Sequence, residues 1–422
     1  MNRFRIIAAL ALIYMIFAIL LNSVGTVILQ SIASFGIGDI AASALERYKD
    51  LTIAVVSFVV ASFLPMLGYR RSMMVSLALV GTACAAMAGW PSFALTKLLF
   101  MCIGIGFAMA KVAVYATIGL VTANRTAHSR LTSSIEGMFM VGMLSGQWLF
   151  AAWVDRQQPG DLVWTHVYWL MAALCVLVIA LLASSQLDES AAHAGHTNDS
   201  MADALREMAR LFVRPLVYVF LLSAFLYVLI EQSFTTWLPT FNNEVLKLPN
   251  AMSIQFASIL AGSMALGRLC AGYVLKRVPW YALLNACVLA TAALVLLVLP
   301  MARHVVHQPD VGWLTAPAAA YLVPMIGLFL SPIYPVINSI ALSSLPKPMH
   351  AAMTGLIVAF SALGGTLGSL LTAIVFHHFD GIHAFYFSLL PMGLVLVTLH
   401  FFHRETLRAG AGIRPAIGLA GK

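Results

Sequence analysis

Charge is scarce in this chain. Only 9% of its 422 residues are Asp, Glu, Lys or Arg, against roughly a quarter in ordinary soluble domains, which excludes a water-soluble globular protein. Also missing is the strict apolar/polar alternation over about ten residues that marks the strands of a membrane β-barrel. The five cysteines, Cys84, Cys102, Cys175, Cys270 and Cys287, sit in apolar stretches without CxxC spacing, which argues against a disulfide framework or a zinc site. The apolar stretches hold no acid pair at fixed spacing, no nucleophile elbow and no His-rich motif, so neither an enzyme nor a metal or organic cofactor is expected. His377, His378 and His383 fall at the ends of the last two apolar runs, where solvated histidines are the plain reading.

What the chain does have is apolar sequence, 61% of it, in repeated runs of twenty or more residues. In hydrocarbon the backbone must satisfy its own hydrogen bonds, and segments this long and uniform do so as helices. The fold class expected is an all-α membrane protein. The N-terminal MNRFRIIAALALIYMIFAILLNSV has the basic start of a secretory signal, but its apolar run is longer than a signal core and more spans follow, so it reads as the first span. Apolar runs predict twelve transmembrane helices as two six-helix bundles. Spans one to six fall near 5–30, 50–68, 72–90, 94–122, 131–154 and 163–184; spans seven to twelve fall near 215–240, 251–275, 280–300, 316–342, 350–376 and 383–402. Residues 1–184 form the first bundle and 215–408 the second. The hydrophilic segment 185–214 is the linker, with Met201, Leu205, Met208 and Leu211 at helical spacing for a surface-lying helix, and 409–422 is a tail.

The chain has 24 Lys and Arg and a net charge of +8. With the N-terminus in the cytoplasm, only Arg47, Lys49, Lys97, Arg156, Lys247 and Arg303 fall outside and most of the others fall inside, as the positive-inside rule requires. The basic balance thus reports topology rather than nucleic-acid binding. It places both termini in the cytoplasm of a bacterial-type inner membrane. Lys111 and Arg268 are left within the spans. Glycine spacing echoes between the halves: Gly142 and Gly146 in span five match Gly364 or Gly365 and Gly368 in span eleven, a pattern that suits close helix packing.

Twelve spans, a central linker and internal termini resemble the major facilitator superfamily. FLYVLIEQSFTTWLPTF in span seven, GRLCAGYVLKRVP at the end of span eight and LSPIYPVINSIALSSLP in span ten more specifically resemble its fucose:proton symporter family. The superfamily signature after span two survives only as LPMLGYRRSM, with Pro65 in place of the aspartate, a loss shared with those symporters. The carboxylates that the family carries in spans one and four are absent here, where the chain reads LLNSVGTVILQ and GIGFAMAKV. The resemblance implies two bundles rocking about a midplane site lined by spans one, four, seven and ten.

Polar groups on those spans are the candidate lining. Span one carries Asn22, Thr26 and Gln30 at four-residue intervals, with Gln30 reaching outer water. Span four carries Lys111 and Tyr115; span seven carries Tyr227, Glu231 and Gln232, with Glu231 placed in the outer half. Span ten carries Tyr334 and Asn338 among Pro324, Pro332 and Pro335, which should kink it. Glu136 and Arg268 share a depth on spans five and eight, so an ion pair between the halves that closes the cytoplasmic side is expected of them, with gating or proton coupling as its role. Lys111 is about 16 Å from the cytoplasmic end of its span at 1.5 Å per residue, near the middle of a hydrocarbon core about 30 Å thick. An ammonium there needs a partner, water or a task. The sequence therefore predicts a monomeric secondary active transporter in the lipid bilayer that moves a small polar solute with proton coupling, as a symporter. Family resemblance favours a sugar and Lys111 an organic anion. A drug, metabolite or siderophore exporter, and a non-transporting receptor or sensor on the same scaffold, remain alternatives.

Overall fold

The computed structural model describes residues 2–122, 125–155, 158, 160–185, 187, 201–303, 305, 311–345 and 349–413. The middle of the linker and the end of the tail lie outside the described residues. The described elements are helical, and ten of the helices are long and apolar enough to cross a membrane. Helices Ala44–Leu67 and Arg125–Ala151 supply the second and fifth of the twelve crossings. An even number of crossings puts both ends of the chain on one side of the molecule, called here the terminal end; the opposite side is the far end.

Span one comprises Asn2–Asn22 and Val24–Phe35, interrupted at Ser23. The Asn22 amide donates to the Ala18 carbonyl at 2.8 Å and the Ser23 hydroxyl to that of Leu20 at 2.8 Å. Such local side-chain bonds compete with the helix ladder. Span ten breaks where its prolines require: Ala318–Leu322, a tight turn over Val323–Met325, Ile326–Leu330 and Ile333–Ser343. Proline removes an amide donor and clashes with the turn before it.

The glycine echo is a packing echo. A Cβ on Gly142 would lie 2.6 Å from the Met15 carbonyl oxygen, so span five closes directly on span one. In the second half, a Cβ on Gly364 would lie 2.4 Å from the Phe225 oxygen, and one on Gly368 would lie 2.2 Å from that of Leu229. Span eleven thus meets span seven as span five meets span one. The linker helix, Met201–Phe212, rests on span eleven, His350–His378, through Phe212 stacked on Phe360 at 5.6 Å. Met208 and Leu211 are buried and Arg206 and Arg210 exposed. Met208 and Leu211 of its apolar stripe are therefore packed on protein.

The halves meet toward the far end. A Cβ on Gly25 of span one would lie 2.3 Å from the Thr236 oxygen of span seven, so the two backbones touch. Trp148 of span five donates to Ser258 of span eight at 3.1 Å and stacks on Trp313, which in turn stacks on Phe256 at 4.3 Å. His377 of span eleven lies 4.0 Å from Asp39, in the short helix Asp39–Ala42 that follows span one.

Candidate functional site

Span four, Phe93–Val121, runs unbroken for 29 residues, and Phe107, Lys111 and Tyr115 recur along one face of it. Lys111 is exposed. Its ammonium sits 5.6 Å from the centre of the Phe107 ring, an attractive placement over a negative ring face. Among the described residues no carboxylate forms an ion pair with it. Glu136, the acid that acts on it electrostatically, is held instead by the Tyr115 hydroxyl, which donates to its Oε1. Phe107 touches Phe17 and Phe139 at 5.8 and 6.3 Å. Tyr14 meets Phe139 and Tyr115 edge-on at 6.0 and 6.1 Å. A single ammonium therefore stands against a continuous aromatic wall from spans one, four and five.

The second half presents Tyr227, Glu231, Arg268, Tyr334 and Asn338. The Tyr227 hydroxyl donates to Glu231 at 2.9 Å, and its ring stacks on Tyr334 at 5.6 Å and 21°. Tyr334 shares a 2.8 Å bond with Ser361, and the Asn338 Oδ1 is buried without a partner among the described residues. Arg268 lies 3.9 Å from Glu231, with its side chain 38% exposed. It also borders a cavity of about 350 Å³ shared with Trp280, Pro335 and Ser339.

Several expectations change. Glu136 and Arg268 are not paired with each other here: each takes a partner in its own half, Tyr115 and Glu231. Glu231 sits nearer the middle of span seven than its outer end. It lies midway along the 30-residue helix Pro215–Glu244, and Arg268 reaches it because an arginine side chain spans the remaining depth. Gln30 does not reach water either; it is 0% exposed, and both of its amide atoms lack a described partner. Thr26 donates to Gln147 of span five at 3.0 Å, and Gln147 donates to the Asn22 carbonyl. The polar stripe of span one thus holds two helices together. Gln232 is spent as well, donating to Glu46 at 2.5 Å and accepting from Thr235 at 2.9 Å.

That contact exposes a group of charges that was placed outside the membrane on sequence grounds. Span two begins at Ala44, and Glu46 and Lys49 are buried. Lys49 is paired with Glu46 and lies 3.5 Å from Asp50. Thr236 of span seven donates to the second Glu46 oxygen at 2.9 Å, and a Cβ on Gly365 of span eleven would lie 2.5 Å from an Asp50 oxygen. The available signal was ERYKD, which puts acid, lysine and acid within one helical turn just before an apolar run.

Helices packed pairwise in both halves, contacts between the halves at one end and a lysine on span four without a described carboxylate partner are the build of a membrane carrier. Residues 6–319 match the Major Facilitator Superfamily, and the chain belongs to it. No curated protein matches the chain. Among solved structures, a point mutant of the nucleoside transporter NupG gives a TM-score of 0.74 at 12% identity, over 96% of this chain and 99% of that one. A bacterial homolog of the human lysosomal transporter Spinster, inward-facing and occupied, gives 0.70 at 14%, over 97% of each. The E. coli fucose:proton symporter gives 0.59 at 16%, over 95% and 99%. At these identities the likeness is one of fold.

Proposed function

We propose that the chain is a secondary active transporter of a bacterial-type inner membrane, with both termini cytoplasmic, that moves a small organic anion by alternating access with proton coupling. Lys111 carries this reading: an exposed ammonium well inside an apolar span, without a carboxylate partner among the described residues. An unpaired charge at that depth is costly, and an incoming carboxylate offsets the cost while gaining a charge-assisted bond.

The geometry suits a state open at the terminal end. Contacts of Gly25, Trp148, Glu46 and Asp39 with the second half occlude the far end. Glu136 and Arg268, nearer the terminal end, each stay within their own half. In the opposite state the far contacts part and water reaches Glu46. Glu136 and Arg268 are then available to each other across the closing terminal side. Rehydration is what lets buried charges exchange partners, since desolvation otherwise dominates their energetics.

The test is uptake into proteoliposomes from a panel of benzoate, pyruvate, glucuronate and fucose, with and without an imposed pH gradient. Gradient-driven accumulation of a carboxylate supports the proposal. Uptake of fucose alone overturns the anion, and accumulation indifferent to the gradient overturns proton coupling.

A further inference from the structure

We infer that the cargo is an aromatic carboxylate, whose charge is met by Lys111 and whose ring joins the rings around it. This rests on the anion-carrier reading above and names the chemical class of its substrate.

The observation behind it is what the cavity-facing spans have left to offer. A neutral sugar is recognised by many free hydroxyls and amides, and apart from the Asn338 Oδ1 and the buried Gln30 amide the groups suited to that task are already committed. Asn22 and Thr26 bond within the first half, Tyr115 bonds to Glu136, Tyr227 to Glu231, and Gln232 to Glu46. Bringing in a sugar would mean breaking these bonds, and a buried group left unpaired costs more than a made bond returns. Uncommitted near Lys111 are one ammonium and a set of ring surfaces.

The rings are arranged to take another. Phe107, Tyr115 and Phe139 are half-buried, so each keeps an open edge or face. Their contacts are tilted or edge-on at centroid distances between 5.8 and 6.3 Å, the arrangements that aromatic quadrupoles prefer. Lys111 and Phe107 are one helical turn apart on one face, so a carboxylate on the ammonium carries its own ring toward Phe107 and Phe139. An aliphatic acid would satisfy the charge and leave the wall without a partner; a neutral aromatic would do the reverse.

The experiment is isothermal titration calorimetry on the full chain in nanodiscs. Benzoate is compared with cyclohexanecarboxylate, which has the charge without the aromatic ring, with benzyl alcohol, which has the ring without the charge, and with pyruvate and fucose. Benzoate is expected to bind about 2- to 10-fold tighter than cyclohexanecarboxylate, the worth of one aromatic pair. It should bind at least about 10-fold tighter than benzyl alcohol, the worth of a hydrogen bond to a charged group. Lys111→Met should abolish the preference for benzoate over benzyl alcohol, Lys111→Arg should retain it, and Phe107→Leu should remove only the preference for the aromatic ring. If the protein binds pyruvate or cyclohexanecarboxylate through Lys111 as tightly as benzoate, the aromatic inference fails and the anion carrier stands. If fucose binds and no carboxylate does, both fail.

Discussion

Thr236→Val tests how the far end is held shut. Thr236 donates to the Glu46 Oε2 across the two halves at 2.9 Å, and Glu46 is 0% exposed. Valine keeps the volume of threonine and removes the donor. A hydrogen bond to a charged group contributes about 1.5–3 kcal/mol, and this one exists only while the far end is closed. At about 1.4 kcal/mol per tenfold, the ratio of far-closed to far-open protein should fall by about 10- to 150-fold. Single-molecule energy transfer between dyes at the far ends of spans five and eight reads that ratio directly. Gln232→Leu, which removes the other donor from the second half, should shift it the same way. In a Glu46→Gln background the effect of Thr236→Val should shrink, because the acceptor is no longer ionised. An unchanged distance distribution in Thr236→Val, or the same shift with and without Glu46, would refute the assignment of Glu46 as the inter-half acceptor.

Other consequences follow from the same contacts. Lys49→Met leaves the buried Glu46 and the half-buried Asp50 without their cation, and breaking a buried pair by deleting one partner costs about 3–5 kcal/mol; a marked drop in thermal stability in detergent is expected. Gly368→Val places a branched side chain where even a Cβ lies 2.2 Å from a carbonyl oxygen of span seven, so the yield of folded protein should fall well below that of Gly393→Val, where a Cβ meets nothing within 4 Å. Trp148→Ala removes the stack on Trp313 and the bond to Ser258, and should favour the far-open state about 10-fold or more, seen by the same energy transfer. Burial raises the Asp39 carboxyl above its ordinary value, and His377 beside it pulls the other way. A carboxyl that binds its proton more tightly when the far end is shut favours that state as pH falls through the window just above 3.8. Asp39→Asn should flatten this acid-side dependence, and His377→Ala should move it to higher pH.

The helical spans and the breaks in span ten could be read from hydrophobic run length and from proline, because both act locally. Side-chain partners could not, because they depend on which helices meet. Asn22 and Thr26 looked like a cavity face by their four-residue spacing, yet spacing does not say what lies opposite, and Gln147 lies 121 positions away from Thr26. Lys49 reads as an outer-side charge because it falls just ahead of the apolar run that starts near residue 50. Here two acids on its own helix, with Gln232 and Thr236 of span seven donating to one of them, make burial tolerable. Depth along a helix placed Glu231 and Arg268 apart, and the length of the arginine side chain closes that gap.

Counterflow tests the central claim most directly. Proteoliposomes preloaded with unlabelled benzoate are diluted into labelled benzoate without any ion gradient. An alternating-access carrier with its anion site at Lys111 should accumulate label transiently above equilibrium, and Lys111→Met should not. Binding of benzoate by the wild-type protein with no counterflow would contradict the account and identify a receptor built on a carrier fold.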